Sequence, residues 1–373
     1  MEERIPYWYT KLGETEAKAV ANAIAEGRLS QGGVSQAFET ELADYLGVAH
    51  VVTTTSGTSA LHLAAVGLGI GHGDEVIMPD RTFIATAHAV LMTGASVKLV
   101  DVLPDRTTID AAKIEAAITP KTKAILPVHL NGNACDMPEI RRIAERHGLL
   151  VFEDAAQAFG SRTSEGYLGT LSDIGCFSLG VTKLITTGQG GFVATNDAER
   201  AERMRRYRSH GVSDTYQADY KNFGFNLRLT DLQASIGRVQ FTKVPGKIKA
   251  HLRFHAAYKA ALADLPFVRL LDVNQADGNV PLWAEALVAD RDQAIALLEK
   301  RNIQARPFLP NLSLSPHLGK WNDDDFPNSQ YFAKHGLFLP SGPDMPIEHV
   351  ERVAQALREI APLLENDLQQ FGR

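Results

Sequence analysis

Phe177-Ser178-Leu179-Gly180-Val181-Thr182-Lys183-Leu184-Ile185-Thr186-Thr187-Gly188-Gln189-Gly190-Gly191 sets one lysine between an apolar run and a glycine-rich turn. Upstream, Leu149-Leu150-Val151-Phe152-Glu153-Asp154-Ala155-Ala156-Gln157 is a second apolar run, this one ending in carboxylates. Working outward, similar runs recur at Val51-Thr54, Glu75-Met78, Val97-Val100, Ala124-Pro127, Ile174-Ser178 and Gly191-Ala194, which makes seven candidate strands with the run at 149–152. Their near-continuous hydrophobicity is that of strands buried on both faces rather than on one. Amphipathic stretches at 59–68, 84–92, 110–118, 138–147 and 198–210 supply the intervening helices, so the pattern predicts an α/β fold with a mostly parallel seven-stranded sheet.

After Pro245-Gly246 the pattern changes to a helix through Tyr258, apolar runs at 268–271 and 282–288, and helices near 291–300 and 347–364. This predicts a large domain over 1–245 and a smaller C-terminal α+β domain over 246–373. Residues 310–329, rich in Pro, Ser and Asn, read as a long loop at a substrate mouth.

Composition narrows the partners. The 373 residues are 45% hydrophobic with a net charge of -6, and no Lys/Arg block with interleaved aromatics is present, so neither nucleic acid nor an anionic membrane is an expected partner. No apolar run reaches membrane-spanning length, the first residues lack a basic-then-apolar leader, and two cysteines, Cys135 and Cys176, cannot make a disulfide framework. A cytoplasmic location is the expectation. His129, Cys135 and Asp136 fall close together but without paired metal-ligand spacing, and Gly67-Leu68-Gly69-Ile70-Gly71-His72-Gly73 follows a helix and precedes a strand, the wrong order for a dinucleotide turn.

The chemistry lies at the strand ends. Thr53-Thr54-Thr55-Ser56-Gly57-Thr58-Ser59 reads as strand, small-residue turn and helix start, where free amides and the helix dipole favour a phosphate, Gly57 permits close approach and Thr58 adds a hydroxyl. Taken alone this is also routine helix capping. Asp154 should sit at the carboxyl end of its strand, where open α/β sheets place ligands, with Gln157 three residues on and Glu153 turned to the other face. Lys183 follows another strand. A phosphate turn, Asp154, Ser178 and Lys183 on successive strand ends fit pyridoxal phosphate: an amine able to form a Schiff base, and a carboxylate to keep the pyridine nitrogen protonated.

Across nearly its whole length the chain resembles the sugar aminotransferase family of the fold-type-I pyridoxal phosphate enzymes. The resemblance is carried by the segments 56–62, 82–87, 128–132, 153–160, 182–191 and Gly224-Phe225-Asn226-Leu227-Arg228-Leu229-Thr230-Asp231-Leu232-Gln233-Ala234. It implies that Lys183 bonds the cofactor aldehyde and Asp154 meets the ring nitrogen. It further implies that Gln157 meets the ring hydroxyl, Phe83 stacks on the ring, and Gly57, Thr58 and Ser178 bind the phosphate. Asn226 would reach the site of a second subunit, making a homodimer with shared sites, and Arg228 and Ser313 would face the substrate. The implied reaction takes an amino group from L-glutamate to a nucleotide-linked keto-sugar. Gly180, Gln189 and Leu227 depart from the residues common in the family, which bears on substrate identity, while Lys183 separates the chain from members that dehydrate sugars and carry His there. Arg306-Pro307-Phe308-Leu309-Pro310-Asn311-Leu312-Ser313 is similar to segments of members that make 4-amino-sugars such as perosamine, pointing to a 4-keto-6-deoxy sugar. A keto-cyclitol aminotransferase and a non-catalytic ligand-binding regulator on the same fold are the alternatives.

Overall fold

Seven strands form one sheet, in the spatial order His50–Thr54, Gly191–Thr195, Ile174–Ser178, Leu150–Asp154, Thr122–Ile125, Glu75–Pro79 and Ser96–Val100. All pairings are parallel except those of Gly191–Thr195, which runs antiparallel to both neighbours. The computed structural model describes residues 3–213, 220 and 222–364. All seven runs expected from the sequence are strands of this sheet.

Alternation along each strand feeds two cores at once. Val51, Val151 and Phe177 enter the cluster on one face, while Val52, Phe152 and Cys176 enter the cluster on the other. Burial of each such side chain is worth about 1.5–3 kcal/mol, and because both faces are covered by helices no strand needs a polar side. Helix Gly57–Gly67 packs on the Cys176 face, and the glycine-rich stretch after it is the helix-to-strand connection the sequence suggested.

A second, antiparallel sheet follows in the order Val268–Leu270, Ala284–Val288, Gly336–Leu339, Arg306–Pro307. Its core takes Phe254 and Tyr258 from helix Val244–Ala261, Leu298 from Arg291–Glu299, and Val353 and Leu357 from Glu348–Ile360. Pro245 and Gly246 stand in the first turn of helix Val244–Ala261. Ile5, at the other end of the chain, packs into this same core and bridges Ile303, and Trp8 bridges Ser341.

Several elements differ from the sequence reading. The helix expected over 110–118 is a 3₁₀ turn, Ala111–Lys113, followed by the short helix Ile114–Ala117. The stretch read as a loop over 310–329 holds three 3₁₀ turns and the start of helix Pro327–His335. Helices Glu14–Ala25, Gly33–Leu46 and Asp231–Thr242 carry no place in that reading. The first two begin after glycines, which give no side-chain cap. For Gly33–Leu46 the missing cap comes from far along the chain, as Asp231 accepts the amides of Gly32 (2.9 Å), Val34 (3.2 Å) and Ser35 (2.9 Å).

Candidate active site

Register brings the site together. Thr54 pairs with Gly191, Gly191 with Ser178, and Asp154 with Cys176, so one edge of the sheet gathers the ends of four strands. Helix Gly57–Gly67 starts directly above this edge. Ser56 caps it by accepting the Ser59 amide at 3.0 Å, while the amides of Gly57 and Thr58, in the first turn, have no acceptor within the helix. A Cβ on Gly57 would lie 2.7 Å from Ser178 Cβ and 3.0 Å from its Oγ, so only glycine lets helix start and Ser178 close into one cradle.

Asp154 is buried, with Oδ2 accepting from Thr86 Oγ1 at 2.8 Å and Oδ1 from the Ala156 amide at 3.1 Å. The Thr86 hydroxyl, having given its proton to Asp154, accepts that of Thr82 at 2.9 Å. Burial pushes the Asp154 carboxyl up, against the Thr86 and Ala156 hydrogen bonds and the positive charge of Lys183. Phe83 is on the same turn, between the two threonines, and keeps 51% of its surface exposed, unlike the core aromatics.

Lys183 is half-buried, and removal of its ammonium from water pulls the amine from its ordinary 10.5 down to about 8, with the Asp154 carboxylate opposing the shift. The two groups therefore share one electrostatic environment. Its loop is tight, the Lys183 amide returning to the Gly180 carbonyl at 3.1 Å and the Gly180 amide to Ser178 Oγ at 3.3 Å. Gln157 has its carbonyl end occupied by the amide of Asn131 at 3.0 Å, which leaves its NH₂ end for the cleft.

Glu153 is turned away, as alternation required. Its carboxylate takes the amides of Gly169 and Leu171 (each 2.8 Å), Ser172 Oγ (2.9 Å) and His129 Nε2 (2.8 Å). His129 Nδ1 accepts the Cys135 amide at 3.2 Å, so the ring proton is on Nε2 and both nitrogens are engaged. Both cysteines are buried as free thiols. Among the described residues no cluster of three or more His, Cys, Asp or Glu could hold a metal ion.

Ser313 is tied to the site's rim, its amide donating to Asp80 Oδ1 at 2.6 Å, three residues before Phe83. Asn226 and Arg228 are different. Arg228 Nε donates to Asn226 Oδ1 at 2.9 Å, Asn226 is exposed, and among the described residues neither is hydrogen-bonded to Lys183, Asp154 or Gln157. The residues missed from sequence are Thr82, Thr86 and Asn131. The four-residue spacing of the two threonines at a helix start was the available signal; nothing local marks Asn131.

The cradle, the carboxylate, the half-exposed ring and the low-pKa lysine fit pyridoxal phosphate. A buried carboxylate without a full counter-charge is costly, and a protonated pyridine nitrogen would supply that charge. Fold and site together define a protein of the pyridoxal phosphate class. Comparison with known proteins agrees: the DegT/DnrJ/EryC1/StrS aminotransferase family model matches residues 10–358, and the chain belongs to that family. It is 40% identical over 335 residues to GDP-perosamine synthase of Caulobacter vibrioides, covering 87% of this chain and 89% of that protein. It is 39% identical to the dTDP-3-amino-3,4,6-trideoxy-alpha-D-glucose transaminase of Streptomyces venezuelae, over 93% and 92% of the two chains. The crystal structure of S. venezuelae DesV in complex with a ketimine intermediate superposes with a TM-score of 0.91 at 35% identity, over 96% of this chain and 99% of that one. No helix among the described residues is long and apolar enough to cross a membrane.

Proposed function

We propose that the enzyme moves an amino group from L-glutamate to the ketone of a nucleotide-linked sugar, a 4-keto-6-deoxy sugar, with Lys183 as the proton carrier. The observation that carries this is the placement of Lys183, in the loop after strand Ile174–Ser178, with buried Asp154 at the end of the adjacent strand Leu150–Asp154. Bound in this cradle, pyridoxal phosphate supplies an electron sink for the carbon that loses its proton.

The chain's own residues do the rest. The free amides of Gly57 and Thr58 and the Ser178 hydroxyl would bind the phosphate at the positive end of the helix. Asp154, steadied by Thr86 and the Ala156 amide, would keep the proton on the pyridine nitrogen. Gln157 would donate from its free NH₂ end to the ring hydroxyl, and Phe83 would cover a ring face. Lys183, in its neutral amine form, can take the α-proton of glutamate and return a proton to the sugar carbon that becomes the amine-bearing centre. Ser313, whose amide donates to Asp80 beside the Phe83 turn, would meet the sugar. The sugar assignment is supported by the similarity of residues 306–313 to 4-amino-sugar enzymes and by the relative named GDP-perosamine synthase.

The enzyme acts as a homodimer in which Asn226 and Arg228 complete the partner's site. Asn226 is exposed and bonded to Arg228 rather than to its own site, and Tyr220 (76%), Phe223 (72%) and Phe225 (43%) expose aromatic surface next to it. A cytoplasmic location accords with two buried free thiols. The test is to load the purified protein with pyridoxal phosphate, reduce it with borohydride, and map the adduct. Label on Lys183, a glutamate-driven change in the cofactor absorbance, and amine formation on a nucleotide 4-keto-6-deoxy sugar are expected. Label on another lysine, or amine formation only on a keto-cyclitol, would overturn the assignment.

A further inference from the structure

Two of the site's groups, Gln157 and the Lys183 loop, are approached by separate chains of contacts that meet on one residue, Trp283. The first runs through Asn131, which is fully buried and holds a left-handed backbone at φ 53°, ψ 28°. Asparagine tolerates that conformation better than most residues, but it remains uncommon and needs support from its surroundings. The support is visible: Asn131 Oδ1 accepts the Trp283 amide at 2.6 Å and Nδ2 donates to the Trp283 carbonyl at 3.2 Å. Gly132 follows at φ 78°, where a Cβ would stand 2.0 Å from the Val280 carbonyl oxygen, so the turn is pressed flat against the segment leading into Trp283. From this clamp the Asn131 amide reaches Gln157 Oε1, fixing which end of the Gln157 amide faces the cleft.

The second chain runs through the N-terminal residues. The Trp283 ring lies 4.3 Å from the Trp8 ring, centroid to centroid, and is stacked on Tyr7 at 5.9 Å and 5°. Trp8 Nε1 donates to the Val181 carbonyl at 3.0 Å, and Thr10 Oγ1 donates to the same oxygen at 2.7 Å. Val181 is two residues before Lys183, in the loop closed by the bond from the Lys183 amide to Gly180. Trp283 itself immediately precedes strand Ala284–Val288 of the second sheet.

We propose that Trp283 is a positioning residue that holds Gln157 and the Lys183 loop in register, its backbone acting through Asn131 and its ring through Trp8. This rests on the roles given above to Lys183 and Gln157. The second sheet thereby sets the geometry of a site built on the first. Loosening the ring contact frees the Val181 carbonyl and lets water reach the Lys183 amine; loosening the clamp leaves Gln157 free to flip.

The two legs can be cut separately. Trp283→Leu removes the ring but keeps the backbone clamp, Trp283→Phe restores an aromatic face, and Asn131→Gly keeps the left-handed turn and the amide while deleting the clamp. In the cofactor-free protein, acetic anhydride labelling of Lys183, followed by peptide mass spectrometry across pH, reads the amine's titration. Trp283→Leu is expected to move that midpoint up by about one unit, which from a midpoint near 8 is about fivefold slower labelling at pH 8, with Trp283→Phe returning toward wild type. Asn131→Gly is expected to leave the Lys183 profile in place and release pyridoxal phosphate several-fold faster. A folded Trp283→Leu variant with the wild-type Lys183 profile would overturn the inference. Should that variant fail to fold, Trp8→Phe combined with Thr10→Val cuts the same leg with Trp283 intact, and an unchanged profile there is equally decisive. Failure of the wild-type protein to be trapped at Lys183 by borohydride would instead overturn the proposed function.

Discussion

A lysine with a pKa near 8 binds fewer protons in the folded chain than in the unfolded one whenever the pH lies between that value and its ordinary 10.5. Stability must then rise with pH across that window, because the unfolded state is the one that gains protons as pH falls. For the cofactor-free protein, thermal melts between pH 8 and 10.5 should show this rise relative to Lys183→Met, which has no amine to titrate; parallel curves would count against the lowered pKa. Lys183→Arg retains a cation but loses the neutral amine, and turnover should fall by on the order of 10²–10⁴, the usual weight of a general base. Thr86→Val addresses the carboxylate. It deprives Asp154 Oδ2 of its hydroxyl donor and leaves a buried acceptor unpaired, a cost of about 1–3 kcal/mol measurable by urea denaturation. The valine variant should also bind pyridoxal phosphate more weakly, since a less well-solvated Asp154 is harder to keep ionised. The roles proposed for Asp154, Gln157 and Lys183 could be suspected from sequence because each follows an apolar run; those proposed for Thr86 and Asn131 depend on which loop a fold brings beside them.

Elements meet at the site through contacts with little tolerance. Helix Gly57–Gly67 approaches strand Ile174–Ser178 so closely at Gly57 that an alanine there must push Ser178 away. Gly57→Ala should cost about 1–3 kcal/mol of stability and weaken pyridoxal phosphate binding more than it slows turnover at saturating cofactor, a split that steady-state kinetics against cofactor concentration will show. Asp231 joins two helices in another way, starting Asp231–Thr242 while its carboxylate serves the bare amides at the start of Gly33–Leu46. Asp231→Ala should destabilise the fold by about 1–2 kcal/mol or more, because a cap supplied by a charged group is lost from a buried position. A melting temperature unchanged by that substitution would show that water replaces the cap. Helix Gly33–Leu46 was silent in the sequence for this reason, since its terminal signal is written 199 residues away.

On the scale of the whole molecule, the two sheets are tied by the N-terminal residues as well as by the middle of the chain. Ile5 and Trp8 pair with residues 303 and 341, and Trp8 and Thr10 return to the Lys183 loop. A dimer with exchanged Asn226 makes a sharp expectation. Lys183→Ala and Asn226→Ala would each be inactive alone, but unfolding and refolding them together should place both defects in one site of each mixed dimer and none in the other. About half the dimers are mixed in an equal mixture, so about a quarter of wild-type activity should return. No recovery, in the presence of a mixed dimer confirmed by mass spectrometry, would place Asn226 in its own subunit's site or outside any site.

Apolar runs, small-residue turns and a lysine after a strand were enough to determine the doubly covered sheet and to point to the cofactor class, because strand burial and strand-end ligand binding are local rules that repeat along a chain; the reaction type came from the resemblance to the aminotransferase family. What only the tertiary structure decided is how those pieces are held: Thr86 on Asp154, Asn131 behind Gln157, Trp8 on the Val181 carbonyl, and Asp231 over a distant helix start. Each of these joins residues dozens to hundreds of positions apart. Hydrogen bonds of that kind follow from the path of the backbone in space, and no spacing in the sequence encodes them.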